Sequence, residues 1–115
     1  MYKIYLIYAE TDGIGQWKIG ITKDINTRLQ TLKVGNPNIV DVFSTYDIDD
    51  RVIAYRVETL MKKHFKQYKV NGEWFLHHAL NKDIFLELCA RYESATHVWK
   101  DIQNNIKNDK NNYYR

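Results

Sequence analysis

Apolar positions in the first third of the chain follow two different periods. Residues 3–8 (Lys-Ile-Tyr-Leu-Ile-Tyr) and 16–22 (Gln-Trp-Lys-Ile-Gly-Ile-Thr) are β-branched and aromatic runs. Asp12-Gly13 lies between them, a pair that readily takes the positive φ of a tight hairpin turn. The pattern predicts a β-hairpin. Side chains alternate across a strand, so Ile4, Leu6 and Tyr8 share one face while Tyr5 and Ile7 share the other. On the second strand Lys18 and Gly20 lie opposite Trp17, Ile19 and Ile21. From Thr22 the period becomes helical. Thr22 or Asp24 caps the new helix by accepting from its free amides. Ile25, Leu29 and Leu32 form its apolar stripe, Arg28 sits on the flank, and Gly35-Asn36-Pro37 ends it.

The remainder alternates in the same way. Ile39 to Tyr46 reads as a third strand. A helix from about Asp50 to about Tyr68 would bury Ile53, Val57, Leu60, Met61 and His64. At roughly 100° per residue, Arg51, Glu58, Lys62, Lys66 and Lys69 gather on another face, one acid within a basic stripe. Asn71-Gly72 signals a turn before the short strand-like run Glu73-Trp74-Phe75-Leu76. From about Lys82 the chain is helical again. Leu88, Tyr92, Ala95, Trp99, Ile102 and Ile106 step by four and three, a heptad-like stripe on one long helix or on two broken near Ser94. Residues 104–115 are rich in Asn and Lys and are expected to fray. Strands and helices mixed in this order predict an α+β fold, with no internal repeat and no linker.

Composition narrows the class. A length of 115 residues suits one domain, and 44% hydrophobic residues with one proline suit a packed core rather than a disordered chain. The single cysteine, Cys89, falls in an apolar pattern and has no partner for an internal disulfide, as expected of a buried thiol in a reducing compartment. No apolar run is long enough to span a bilayer, and the N-terminus lacks the order of a signal peptide. A soluble, cytoplasmic protein with no membrane partner is expected. The net charge of +3 is small, but residues 50–80 hold six basic and three acidic side chains, so the excess lies in the middle of the chain.

The motifs now gain meaning together. Lys3-Ile4-Tyr5 and Lys18-Ile19-Gly20 lie on adjacent strands, followed by Arg28 in Asn26-Thr27-Arg28-Leu29. Gly35-Asn36-Pro37, Glu58, Phe65 and Gly72-Glu73-Trp74-Phe75 follow in order. This set resembles the GIY-YIG endonuclease superfamily, and in particular its phage-type branch with a Lys-Ile-Gly second motif. The resemblance covers roughly residues 3–76. It implies a small three-stranded antiparallel sheet flanked by helices, a nuclease core over residues 1–80, and a C-terminal helical extension over 81–115 within the same domain. It also implies a divalent-metal-dependent endonuclease acting on DNA, with Mg²⁺ or Mn²⁺ as cofactor. Tyr5 matches the tyrosine of the first motif and Lys18 that of the second. Arg28 matches the phosphate-binding arginine and Glu58 the metal carboxylate. Lys3 and Lys18 depart from the usual glycine and tyrosine. The late asparagine of the family has Asn71 and Asn81 as candidates, and Glu73 is a possible second acid.

The chemistry of phosphodiester hydrolysis sets the roles. It needs an in-line water, a group to take its proton, and positive charge on the phosphate. Glu58 would hold one small hard cation that keeps several waters, and Arg28 would offer its planar fork to the phosphate. Lys18 is read as the base and Tyr5 as the group that orients the water. Free lysine and tyrosine titrate at about 10.4 and about 10, so a metal and an arginine must assist. Lys62, Lys63, Lys66 and Lys69 would track the DNA backbone. Plainer readings stand beside these. Tyr5 could pack on the sheet, Arg28 could be solvated, and Glu58 and Lys62 could form an ordinary helical ion pair. The lysines could simply favour the end of a helix dipole. His64 reads as packed, and adjacent His77 and His78 cannot easily chelate one ion, so no structural zinc is expected. Two other functions compete: a DNA-binding module of the same fold without cleavage, and an interaction factor that forms a homodimer through the C-terminal helix.

Overall fold

A computed structural model describes residues 1–36, 38–72, 74–76 and 81–113, with side chains at all of these but 11, 39, 40, 71 and 109–113. Asp12 and Gly13 take φ of 53° and 78°, the left-handed pair that matches the twist of a two-residue hairpin. They join β1 (Tyr2–Thr11) to β2 (Ile14–Thr22), with Tyr5 opposite Gly20 and Ile7 opposite Lys18. The helix α1 (Ile25–Gly35) follows, capped by Asp24, whose carboxylate accepts from the Thr27 amide at 3.1 Å and its hydroxyl at 2.9 Å. These bonds, the amide first, hold the Asp24 carboxyl below its usual pKa.

β3 (Ile39–Ile48) runs antiparallel beside β1. It is two residues longer than the sequence pattern suggests, because Tyr2 and Lys3 pair with Ile48 and Asp47 and Lys3 closes an ion pair with Asp47 at 2.8 Å. Next come α2 (Arg51–His64), capped by Asp50 on the Ile53 amide, a 3₁₀ turn (Lys66–Tyr68), β4 (Lys69–Asn71), β5 (Trp74–Leu76) and α3 (Lys82–Tyr113). All strand pairs are antiparallel, in the order β3-β1-β2-β5-β4. The sheet therefore has five strands rather than three. Lys69-Val70-Asn71 carries no strand pattern of its own; pairing with β5 across Gly72, at φ 55°, makes it one.

Each face of the sheet has its own cover. Ile4, Leu6, Trp17 and Ile19 pack under Ile53, Ala54, Val57 and Met61 of α2, with Phe65, Phe75 and, from α3, Phe85, Leu88 and Cys89. Full burial of each such aliphatic or aromatic side chain contributes about 1.5–3 kcal/mol. On the other face Tyr5, Ile7 and Ala9 lie under Ile25, Leu29 and Leu32 of α1, with Val42 and Trp74 beside them.

Three details of the helices differ from expectation. α2 ends at His64 rather than near Tyr68, where the Tyr68 amide bonds to Phe65 at 2.9 Å and the chain turns into β4. Continuing the helix would set Lys62 and Lys66 one turn apart as like charges and would give up the pairing of β4 with β5. His64 is exposed rather than buried, its Nδ1 2.8 Å from the Tyr92 hydroxyl, and Leu60 is half-buried, while Ala54 joins the buried side of the helix. α3 takes the first of its two expected forms, one long helix, and the difference lies in which side chains pack. Its packed edge runs through Thr96, while Ala95 is exposed.

Polar contacts fix α3 to the body. Tyr46 donates to Glu93 at 2.7 Å, Lys100 pairs with Asp50 at 2.9 Å, and the Arg56 guanidinium stacks 4.1 Å from the Trp99 ring centroid. Ile102 and Ile106, 50% and 45% exposed, lie beyond them. Burial, with the Glu93 carboxylate adding to it, pushes both the Cys89 thiol and the Tyr46 phenol up to about 12. Both neutral forms are favoured in the folded state. Their contribution is thus full below the ordinary values of 9.0 and 10.0 and is lost as pH rises toward 12. The urea midpoint is expected to hold level from neutral pH to about 9 and to fall above it. Tyr46→Phe should make that fall shallower; an unchanged alkaline limb would contradict the assignment.

Candidate active site

The hairpin builds the first half of the site. Gly20 sits opposite Tyr5, and the Tyr5 ring occupies the space where a Cβ at position 20 would stand, its hydroxyl and Cζ both in collision with it. The glycine is therefore required by the tyrosine. Tyr5 is only 1% exposed, and its hydroxyl oxygen accepts from Arg28 Nε at 3.2 Å. Arg28 is placed by the cap: its amide makes the first helical bond to the Asp24 carbonyl at 3.1 Å, one turn into α1. Because the phenol oxygen accepts here, its single proton is directed to another partner.

Lys18 lies on the same face, two residues from Gly20. A diagonal neighbour across antiparallel strands is about 7–8 Å away, close enough for its long side chain to reach the Tyr5 hydroxyl region. It is 7% exposed, and its Nζ stands 5.6 Å from the Trp74 ring centroid. β5 pairs with β2 at Gln16, Trp17 and Lys18, which brings Trp74 beside Lys18.

Glu58 approaches from α2, on the opposite face of the sheet. Its Oε1 is 2.8 Å from Lys62 Nζ, with side-chain exposures of 15% and 26%, so the ion pair expected from the spacing is formed. Its Oε2 is buried and has no hydrogen-bond partner among the described residues. Leaving a charged acceptor buried and unpaired costs a few kcal/mol, and a small hard cation is the kind of group that satisfies it. Among the described residues no three of His, Cys, Asp or Glu cluster as a metal site, so Glu58 would hold an ion as one carboxylate among waters and phosphate oxygens.

Lys62, Lys63, Lys66 and Lys69 come together, but not as the helical stripe their spacing suggests. Lys66 belongs to the 3₁₀ turn and Lys69 to β4. The turn after Phe65 wraps all four around a groove of about 420 Å³ that includes Phe75. Lys62 thus belongs to both the groove and the Glu58 pair.

One family model matches residues 3–107, spanning all of these positions. The chain belongs to the T5orf172 domain family. That family is phage-associated and related to nucleases of the GIY-YIG and HNH types, which is consistent with a nuclease or DNA-binding role. No curated protein and no solved structure matches the chain. The T5orf172 match runs well into α3, beyond the span in which the sequence motifs lie.

Other expected site residues fare differently in this T5orf172 domain. Asn81 caps α3, its Oδ1 accepting from the Ile84 amide at 2.9 Å. The Asn71 side chain, Glu73, His77 and His78 lie outside the described residues. Trp74 is a neighbour of the site that the sequence motifs did not single out. Adjacent strand residues point to opposite faces, so Phe75 enters the main core and Trp74 joins Lys18 and Tyr5. Alternation along Trp74-Phe75 was the available signal; the pairing of β5 with β2 was not.

Proposed function

We propose that this T5orf172 domain is an endonuclease of the GIY-YIG type that hydrolyses DNA phosphodiester bonds with one Mg²⁺ or Mn²⁺ ion. The observation that carries the reading is the buried Oε2 of Glu58, which has no hydrogen-bond partner among the described residues. The ion pair with Lys62 accounts for the other carboxylate oxygen. A divalent ion there would act as a Lewis acid toward the negative charge that builds on the phosphate.

The chain's own groups divide the remaining work. Arg28 binds phosphate oxygens while its Nε steadies Tyr5. Tyr5, fixed over Gly20, donates a hydrogen bond to the attacking water and orients it, keeping its own proton. Lys18 takes one proton from that water as its oxygen bonds to phosphorus. The bond from phosphorus to the leaving sugar oxygen breaks, and that oxygen takes up a proton from solvent water. The four-lysine groove holds the adjoining backbone, which makes binding fall with salt.

Supercoiled plasmid incubated with Mg²⁺ should be nicked, and chelator should prevent it. Binding without nicking in either divalent metal would sink the enzyme reading. It would leave the second reading, a DNA-binding module of the same fold, which the Glu58–Lys62 pair at 2.8 Å favours. The division of labour has its own test. Lys18→Met is expected to lower nicking by about 10²-fold, as for loss of a general base, and Tyr5→Phe by less. The reverse order at neutral pH would exchange the two roles.

A further inference from the structure

Arg51, Tyr55, Glu58 and Lys62 follow one another on α2 at steps of four, three and four, so they line one side of the helix. The C-terminal end of this stripe opens into the lysine groove. Its N-terminal end opens into a second cavity of about 270 Å³, walled by Tyr2, Lys23, Arg51 and Tyr55, with Ile21 and Thr22 completing it. The proposed cleavage chemistry makes no use of this cavity.

Among the described residues its lining holds two cations and no acid. The carboxylates nearby in sequence are engaged elsewhere: Asp24 on Thr27, Asp47 on Lys3, and Asp50 on the Ile53 amide and Lys100. Asp49 is exposed and lies outside the lining. Lys23 Nζ stands 4.9 Å from the Tyr2 ring centroid, and the Arg51 guanidinium 5.6 Å from that of Tyr55. The two rings meet edge to face at 6.2 Å. A ring attracts a cation through its quadrupole without cancelling the charge, so the tyrosines post both cations at the walls and leave them able to attract an anion. The volume falls just below the 300 Å³ or so at which small-ligand pockets begin. That admits one phosphate with its sugar or base and excludes a duplex.

We infer that this cavity is a second contact for the DNA strand, holding one backbone phosphate between Lys23 and Arg51. The inference rests on the DNA reading above and adds a binding site to it. Arg51 precedes Glu58 by seven residues, about 10 Å along a helix. Measured along the axis of a DNA duplex, that is about three base pairs at roughly 3.4 Å each. The strand would then run the length of α2, from the Lys23–Arg51 pair past Glu58 to the lysine groove, with the scissile bond between two flanking anchors.

Fluorescence anisotropy of a short labelled duplex in chelator, over a range of salt, tests this without requiring cleavage. The pair variant Lys23→Gln/Arg51→Gln is expected to bind about tenfold more weakly, with the slope of log affinity against log salt smaller by about one, the share of the single phosphate held between them. Lys62→Gln/Lys66→Gln should act similarly at the other anchor. Lys23→Arg/Arg51→Lys, which keeps both charges, should restore most of the affinity; its failure to do so would reduce the pair to a structural role and overturn the inference. Wild-type affinity and slope in the Gln pair would overturn it alone, while the lysine-groove variant still reports DNA binding. A wild-type chain that binds no DNA would overturn the DNA reading, and this site with it.

Discussion

Glu58→Gln should lower metal-dependent nicking by about 10³-fold, the scale of losing one preorganised charge-stabilising group, while DNA binding in chelator stays close to wild type. Glutamine keeps the shape of the side chain and removes only the charge. If Glu58 served solely as the partner of Lys62, a part-buried helical pair, its loss would cost about 1 kcal/mol of stability at most. A 10³-fold loss of rate corresponds to about 4 kcal/mol, so the two accounts differ by a margin that a plasmid assay resolves. Lys62→Met supplies the comparison. It removes the same ion pair, along with one lysine of the groove, and is expected to weaken DNA binding yet keep metal-dependent nicking. Matching losses in Glu58→Gln and Lys62→Met would return Glu58 to the role of a structural ion-pair partner.

Gly20→Ala should damage both fold and site. The added methyl would stand where the Tyr5 hydroxyl and Cζ now lie. Tyr5 is 1% exposed beneath α1, so its ring has little room to retreat. Overpacking of this kind costs about 1–3 kcal/mol, and a domain near this size loses about 4–8 °C of Tm per kcal/mol. Displacing the ring also breaks the 3.2 Å bond from Arg28, so nicking should fall by about 10²-fold. Gly35→Ala is the control, because nothing lies within 4 Å of a Cβ there and its φ is ordinary. A second change, Tyr5→Val, should return part of the lost stability to Gly20→Ala without returning activity, since residues in direct contact are energetically coupled. A Gly20→Ala chain with wild-type Tm and rate would show that the ring is not seated on the glycine.

The sequence was most informative where structure is local. Asp12-Gly13 sets a turn by its own backbone preference, and Asp24 and Asp50 cap their helices through bonds three residues long. Alternation along two paired strands put Tyr5, Lys18 and Gly20 on one face, and the helical stripe put Arg28 at the edge of that face. It was least informative for the lysines. Their spacing fits a continuous helix, and only the turn after Phe65, made to pair β4 with β5, shows that they surround a groove. His64 erred in the same direction, because the helical period marks its place on the apolar face and takes no account of Tyr92 reaching it from α3.

The chain by itself therefore determined the hairpin and the capped helices, and its motifs named all four proposed catalytic side chains, three of them within residues 5–28. Tertiary structure decided the rest. It added β5 and β4 to the sheet edge and set Trp74 beside Lys18. It also covered one face with α2 and α3, leaving one oxygen of Glu58 buried with no hydrogen-bond partner among the described residues. The division has a physical cause. Turns, caps and periodicity are fixed by residues a few positions apart. Pairing β2 with a strand more than fifty residues later depends on which exposed edge and which apolar faces remain once the local pieces form.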